Sequence, residues 1–378
     1  MQKKGKVFVG MSGGVDSSVA AFLLKKQGYD VVGVFMRCYN LDGCAERDAE
    51  DARRVAEHIG IPFYVWDFEE EYKQRVVKYM IDGYRAGITP NSDVMCNREI
   101  KFGLFLEKAL AAGADFVATG HYVKIKKIGL YPSVRKAKTN KSVGIARENY
   151  ALFAADDKNK DQSYFLWTLT QEQLARCLFP IGDYPKPEVR KIAARAGLST
   201  ATKKDSQGIC FLGDISITDF LKQYIPEHRG ALVTTDGKNI GQHFGAEFYT
   251  IGQRHIDADF KFPKNGASER RPFYVSSKDA ATNTVVLAEG DENEALYRKE
   301  VSLVQVNIIR ITEATSVEQQ EVFARVRYRQ PLSKAKLIFD ENGNYWLVFD
   351  KPQKFVASGQ SAVWYSKTGE MLGGGIIL

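Results

Sequence analysis

The 378-residue sequence has no window approaching 18 uninterrupted apolar residues, so no segment is long enough to span a membrane as a helix. Cysteine is scarce. Five in a chain of this size argue against a disulfide scaffold and for a reducing cytoplasm. A secretion signal is also missing: Val7–Met11 is too short an apolar run, and no small-residue cleavage site follows it. Internal repeats and low-complexity tracts are absent. Hydrophobic residues make up 44% and charged residues 26%, near the globular average, which excludes a disordered or fibrous chain. The charge excess is modest, 53 basic against 46 acidic residues, and is mild evidence for a polyanionic partner. The length suits two to three domains.

The pattern along the chain changes twice. Short apolar runs at Val7–Met11, Asp30–Met36, Phe63–Phe68 and Asp115–Thr119 alternate with amphipathic stretches at Ser17–Gln27, Glu46–Ile59, Glu70–Tyr84 and Asn97–Ala112. Near-continuous apolar strands alternating with helices predict an α/β domain, a doubly wound parallel sheet whose ligands sit outside the carboxyl ends of the strands. Residues 124–153 read as a hairpin-rich insertion and 163–197 as helical, broken at Gly182 and Pro185. Beyond about 213, short strands with turns such as Asp236-Gly237 predict a small, mainly β central domain. The runs Val301–Ile311, Gln320–Tyr328, Ala335–Phe339 and Tyr345–Phe349 predict a C-terminal β-barrel. The expected divisions are 1–212, 213–290 and 291–378.

Directly after the first strand stands Ser12-Gly13-Gly14-Val15-Asp16-Ser17-Ser18, which opens a helix. Two glycines let the backbone approach a phosphate, and the amides at a helix start point partial positive charge at it. The hydroxyls of Ser12, Ser17 and Ser18 are candidate donors. Bare phosphate repels Asp16, so its expected task is to hold Mg²⁺ or to orient the loop. The Gly-Lys-Ser/Thr of Walker loops and the three-glycine dinucleotide fingerprint are both missing. A plain glycine-rich turn is the competing reading. Strand, Ser-Gly-Gly-x-Asp-Ser and helix in this order resemble the pyrophosphatase loop of ATP-dependent adenylating enzymes. The resemblance implies ATP cleaved to AMP and pyrophosphate, and an adenine nucleotide alpha hydrolase-like sheet.

Cys96 lies in Asn91–Asn97, read as standing just before a helix, where a helix start lowers a thiol's pKa. Cys210 follows Lys203-Lys204 and Gly208, a setting that suits an accessible thiolate. For each, a buried inert cysteine is the alternative. Cys38 and Cys44 lack a second close pair to complete a zinc set and are read as structural. Cys177 is expected in the core of the helical Leu174–Phe179.

Eight motifs in order carry a closer resemblance: Ser12–Ser18, Asn91–Asn97, Thr119-Gly120-His121-Tyr122, Lys160-Asp161-Gln162-Ser163, Lys203–Phe211, Tyr249–Arg254, Arg327-Tyr328-Arg329-Gln330 and Gly373-Gly374-Gly375-Ile376. Together they are similar to the bacterial tRNA-uridine 2-sulfurtransferases, the tRNA 2-thiouridylases, over nearly the whole chain. The segment after Arg254 departs from the family pattern: His255-Ile256-Asp257 and a charged loop replace basic-Gly-Leu, and no role is assigned to it.

The family resemblance implies ATP binding by Gly10, Met11, Ser12, Gly13, Gly14, Val15, Asp16, Ser17, Met36 and Gly120, with Mg²⁺ accompanying the nucleotide, Asp16 being its candidate ligand. It implies tRNA contacts from Asn91, Ser92, Asp93, His121, Lys160, Asp161, Gln162, Arg327, Tyr328 and Gln360. ATP adenylates the 2-carbonyl oxygen of the wobble uridine. A persulfide on Cys210, loaded by an upstream donor such as a cysteine desulfurase or relay protein, then delivers sulfur. Cys96 either releases sulfide or accepts a disulfide with Cys210, and Asp93 serves as proton acceptor or hydrogen-bond partner. An iron–sulfur cluster on Asp93, Cys96 and Cys210 is the alternative mechanism. Other readings are a different adenylating tRNA-modifying enzyme and a non-catalytic RNA-binding protein. Between Lys124 and Lys141 stand seven basic residues and no acidic one: Lys124, Lys126, Lys127, Arg135, Lys136, Lys138 and Lys141. They form either a phosphate-binding surface or a solvated hairpin face.

Overall fold

The computed structural model describes residues 4–39, 43–133, 145–205, 215–261, 271–309 and 319–378. Cys210, Arg135, Lys136, Lys138, Lys141 and most of the charged loop after Arg254 lie outside the described residues. The N-terminal part is built on five parallel strands, β1 (Lys6–Gly10), β2 (Asp30–Arg37), β3 (Phe63–Asp67), β4 (Phe116–Ala118) and, later in the chain, the two-residue Cys177–Leu178. Their order is β3-β2-β1-β4 and then Cys177–Leu178. Successive side chains of a strand point to opposite faces, so Val7 and Val9 pack on one side of the sheet and Phe8 on the other. Helices α1 (Val15–Lys26) and α2 (Cys44–His58) supply Val19, Ala52 and Val55 to the first core.

Two longer helices cover the other face. Helix α3 runs from Glu69–Tyr72 through a wide π-type turn at Lys73–Val77 into Lys78–Arg85; helix α4 runs from Ser92–Cys96 through wide turns at Asn97–Leu104 into Phe105–Ala111. Sequence placed the start of α4 at Asn97. It starts five residues earlier because the Asn91 side chain caps it, its Oδ1 accepting the Val94 amide at 3.2 Å. The expected helix around Cys177 is replaced by the sheet's fifth strand; Cys177 is in the core as expected, and burial pushes its thiol pKa up. Helix α5 (Lys186–Arg195) then returns to pack on α1.

The insertion is a hairpin, β5 (Val123–Ser133) and β6 (Ile145–Ala154). Among described residues its lysines have acidic neighbours from outside the basic run: Lys124 pairs with Asp156 at 2.5 Å and Lys127 with Glu148. The central domain is a five-stranded sheet between Gly230–Thr234 and Thr284–Glu289. Six strands from Tyr297–Ile308 to Glu370–Ile377 close into the barrel, the last pairing with the first around Leu303, Leu337, Leu347 and Trp364. The hairpin extends this sheet, since Leu152 of β6 pairs with Met371 of the last barrel strand.

Buried polar contacts fasten the barrel to the N-terminal domain. Asp161 is 3% exposed; its carboxylate accepts Arg325 Nη2 at 3.1 Å, the Ala155 and Ser163 amides, and the Ser163 hydroxyl. Tyr164 OH donates to the Ser361 carbonyl, and Trp167 Nε1 to the Ser361 hydroxyl. The glycine motif near the C-terminus serves the same joint: a Cβ on Gly374 would lie 2.4 Å from the Trp167 ring. Removing one partner of the Arg325–Asp161 pair strands a buried charge. Asp161→Ala is expected to destabilise the chain by about 3–5 kcal/mol, and Asp161→Leu/Arg325→Met to recover most of it. Urea-unfolding midpoints of both variants check this.

Candidate functional site

The sheet order places β1 and β4 side by side with their connections leaving in opposite directions, so a crevice opens at their carboxyl ends. A cleft of about 580 Å³ lies there, of a size that suits a small ligand. Ser12, Gly14, Val15 and Asp16 form one wall; Asp93, Cys96, Asn97 and Lys101 of α4 form another. His121, Tyr122, Lys160, Gln162, Phe165, Lys203, Lys204, Asp205, Tyr328 and Arg329 complete it.

The loop after β1 is held by its own groups. Gly13 has φ +73°, and a Cβ there would lie 2.3 Å from the Asp48 carbonyl oxygen, so no side chain is tolerated. Ser17 Oγ accepts the Ser12 amide at 3.1 Å, and Ser18 Oγ donates to the Gly14 carbonyl at 2.8 Å. Ser17 and Ser18 are thus buried structural hydroxyls, and Ser12 is the one facing the cleft. Gly120 closes the end of β4 against the start of α1. Met36 packs its methyl over Gly10, and Met11 donates its amide to Val34.

Two side chains engage Asp16. Both its oxygens take Lys186 Nζ at 2.8 Å, and Oδ1 also accepts Tyr122 OH at 2.7 Å. Lys186 reaches on to Asp205 at 2.8 Å, and Asp205 also receives Lys160 at 2.6 Å and Arg190 at 2.8 Å. Burial by itself raises the Asp205 pKa, but hydrogen bonds from Lys160 and Lys186 outweigh it and hold the carboxyl at about 2. Lys203 is not an open cation beside Cys210 either, because it pairs with Asp48 at 2.7 Å and Asp51 at 2.5 Å on α2. Among described residues no group of three or more His, Cys, Asp and Glu forms a metal site. The donor set does not fit Mg²⁺ at Asp16, whose oxygens are already occupied.

On the opposite wall, Asp93, Cys96, Asn97 and Lys101 share one face of α4. Cys96 is 4% exposed and sits a full turn inside the helix, not at its start. Burial raises the Asp93 pKa, opposed by Lys101. His121 is buried against the Phe102 and Phe179 rings, with Nδ1 2.7 Å from Thr119 Oγ1. Burial, and then Lys101, push its pKa well below the usual range, so the ring is neutral. Tyr328 packs on Phe165 with the rings tilted at 48° and 4.5 Å between centroids, and the Arg329 guanidinium lies 5.1 Å from the Tyr328 ring centroid.

The remaining expected tRNA contacts lie elsewhere. Asn91 caps α4 and donates to Ser361 Oγ at 3.4 Å; Ser92 is buried beside it. Asp161 holds Arg325, Gln360 donates to the Thr89 carbonyl at 2.8 Å, and Arg327 donates to the Ile251 carbonyl at 2.5 Å. All five stand at junctions between domains. Sequence reasoning missed Lys186, Asp205, Lys101 and Phe165. The Lys160 and Lys203–Phe211 motifs pointed at the cluster, but nothing local marked Lys186.

Three family profiles match the chain in succession: "tRNA methyl transferase HUP domain" over residues 5–214, "tRNA methyl transferase PRC-barrel domain" over 218–289 and "Aminomethyltransferase beta-barrel domain" over 298–377. A relative from Streptococcus sanguinis is 44% identical over 382 residues, covering 99% of this chain and 95% of the relative. One from Christiangramia forsetii is 41% identical over 415 residues, covering 98% and 99%. Both are named tRNA-specific 2-thiouridylase MnmA.

The Asp205 ion pairs carry a signature in acid. A folded-state pKa of about 2, against 3.8 for the free group, gives stability that is fully present above pH 3.8 and is lost as pH falls toward 2. The shift corresponds to about 2 kcal/mol. Asp205→Asn is expected to destabilise the chain at pH 6 and to flatten the dependence of stability on pH between 4 and 2, roughly the window the shift defines. Urea titrations at several pH values measure both.

Proposed function

This chain belongs to the tRNA-specific 2-thiouridylase family, and from that membership we propose that it catalyses ATP-dependent 2-thiolation of the wobble uridine of tRNA. The observation that carries the proposal is the shared cleft: a phosphate-sized glycine loop on one wall and Cys96 beside Asp93 on the other.

In this reading the loop amides from Gly13 to Ser17 cradle the phosphates of ATP, and Met36 lies near the adenine. The 2-carbonyl oxygen of uridine attacks the α-phosphorus and pyrophosphate leaves. The uridine N3 proton is lost in this step, and the ionised carboxylate of Asp93, whose pKa burial raises, is its acceptor in this reading. The outer sulfur of a Cys210 persulfide then becomes bonded to C2 and AMP departs. A disulfide between Cys96 and Cys210 balances the two electrons that the outer sulfur gains. Tyr328, Phe165 and Arg329 offer stacking surfaces for a base drawn out of the anticodon loop. The cytoplasm, an upstream persulfide donor and tRNA are the compartment and partners this chemistry requires.

The decisive assay supplies ATP, a persulfide source and tRNA, then measures nucleosides by mass spectrometry and AMP by chromatography. We expect 2-thiouridine with matching AMP and pyrophosphate, and neither from Gly13→Val. Cys96→Ser and Cys210→Ser each stop thiolation while AMP formation persists, and only Cys210→Ser loses labelled persulfide sulfur. Label held on Cys96, a requirement for iron, or methylated nucleosides overturn the assignment.

The hairpin supplies a second test. Lys124 and Lys127 have carboxylate partners, whereas Lys126 lies over the Phe153 ring, leaving its charge available to a phosphate. Lys126→Gln is expected to lower the slope of log affinity for tRNA against log salt by about 1, and the other two by less. An unchanged slope makes this face a solvated one.

A further inference from the structure

Resting on the reading of the cleft as an ATP site, we propose that Lys186 is a positioning residue that masks Asp16, so that the loop after β1 presents phosphate-binding amides without an opposing carboxylate. Asp16 is the second residue of α1, at the helix end that attracts anions, where an uncovered carboxylate competes with the nucleotide for those amides. Both oxygens are engaged: Lys186 Nζ lies 2.8 Å from each, and Tyr122 OH 2.7 Å from Oδ1.

Lys186 is poorly placed for any local purpose. It is the first residue of α5, the end of a helix where a cation is disfavoured, and its side chain is only 9% exposed. Asp16 and Asp205 hold its side chain, and Asp157 Oδ2 accepts its backbone amide at 2.9 Å. Asp205 keeps Lys186 oriented, and is itself fixed by Lys160 and Arg190, so the lysine cannot swing out into solvent without breaking two part-buried pairs. The same arrangement joins three separate stretches of chain: the loop, Tyr122 after β4, and the segment that carries Asp205. A lysine that breaks its local rules while satisfying a loop carboxylate is expected at a functional site.

The test is ATP affinity by calorimetry on the full chain, with thermal midpoints alongside. Lys186→Met is expected to weaken ATP binding by at least about tenfold, since it leaves a bare carboxylate in the loop. Lys186→Arg recovers most of the loss. Asp16→Asn/Lys186→Met binds ATP more tightly than Lys186→Met, because the charge that needed masking is gone. A lysine with a merely structural role lowers the thermal midpoint but gives no gain in affinity when Asp16 is neutralised, and that result overturns the proposal. So does wild-type affinity in Lys186→Met. Should Lys186→Met not fold, Tyr122→Phe removes the second donor to Asp16; a few-fold loss supports the proposal and unchanged affinity overturns it. Failure of the wild-type chain to bind ATP overturns the ATP reading itself, a result separate from any variant's behaviour.

Discussion

Lys186 carries a buried positive charge between two carboxylates, and the shape of the cleft depends on it. Removing an ammonium group from water is costly, and only close carboxylates offset that cost. Here two do, while Lys160 and Arg190 add their charges to Asp205. With Asp157, whose Oδ2 accepts the Lys186 amide at 2.9 Å, three cations meet three carboxylates, so the cluster balances. Lys204 brings a further positive charge to the same lining. On the α2 side the balance reverses, since Asp48 and Asp51 share the single Lys203. An anion entering this cleft is therefore drawn to the loop and the Lys186 side, away from α2.

The barrel takes part in the same site. Its contacts with the N-terminal domain are buried and polar, which fixes geometry more strictly than apolar contact does, because each donor has one acceptable position. Arg325 on Asp161, Gln360 on Thr89 and Asn307 on the Trp167 and Leu169 carbonyls hold the two bodies in register. Tyr328 and Arg329 stand in the turn after strand Gln319–Arg325 and reach the cleft only because that register is kept. The residues sequence grouped as tRNA contacts thus divide by place. Lys160, Gln162, His121 and Tyr328 line the cleft, while Asn91, Asp161, Arg327 and Gln360 maintain the joint that puts Tyr328 there.

Much of this architecture was legible in the sequence because it rests on local patterns. Apolar strands, helical periodicity and Gly13-Gly14 after β1 are read over a few residues, and the parallel sheet, hairpin and barrel follow from them. The misreadings have physical causes. Cys177 lies on a strand of two residues, too short for any alternation to show. Asn91 was grouped with a loop, although Asn followed by a helical run is a capping signature, and this displaced Cys96 from inside the helix to its start. The acid-free run from Lys124 is truly acid-free, but pairing brings Glu148 opposite it, which depends on register and not on the run itself. Lys186, in Pro185-Lys186-Pro187, resembles any helix start. Its partners stand 170 and 19 positions away, and only the folded chain brings them together.

The wall carrying Cys96 follows a different electrostatic rule from the loop opposite. There burial is the largest influence: it raises the Asp93 pKa and lowers that of His121, and Lys101 influences both. The loop carboxylate Asp16 is instead engaged by Lys186 and Tyr122. His121 makes a poor substitute base, because the same burial that keeps it neutral also keeps it from holding a proton, and Thr119 engages its Nδ1. It suits a neutral hydrogen-bonding partner beside Asp93. The cleft thus separates its walls by environment: paired charges around the loop after β1, and desolvated groups beside Cys96.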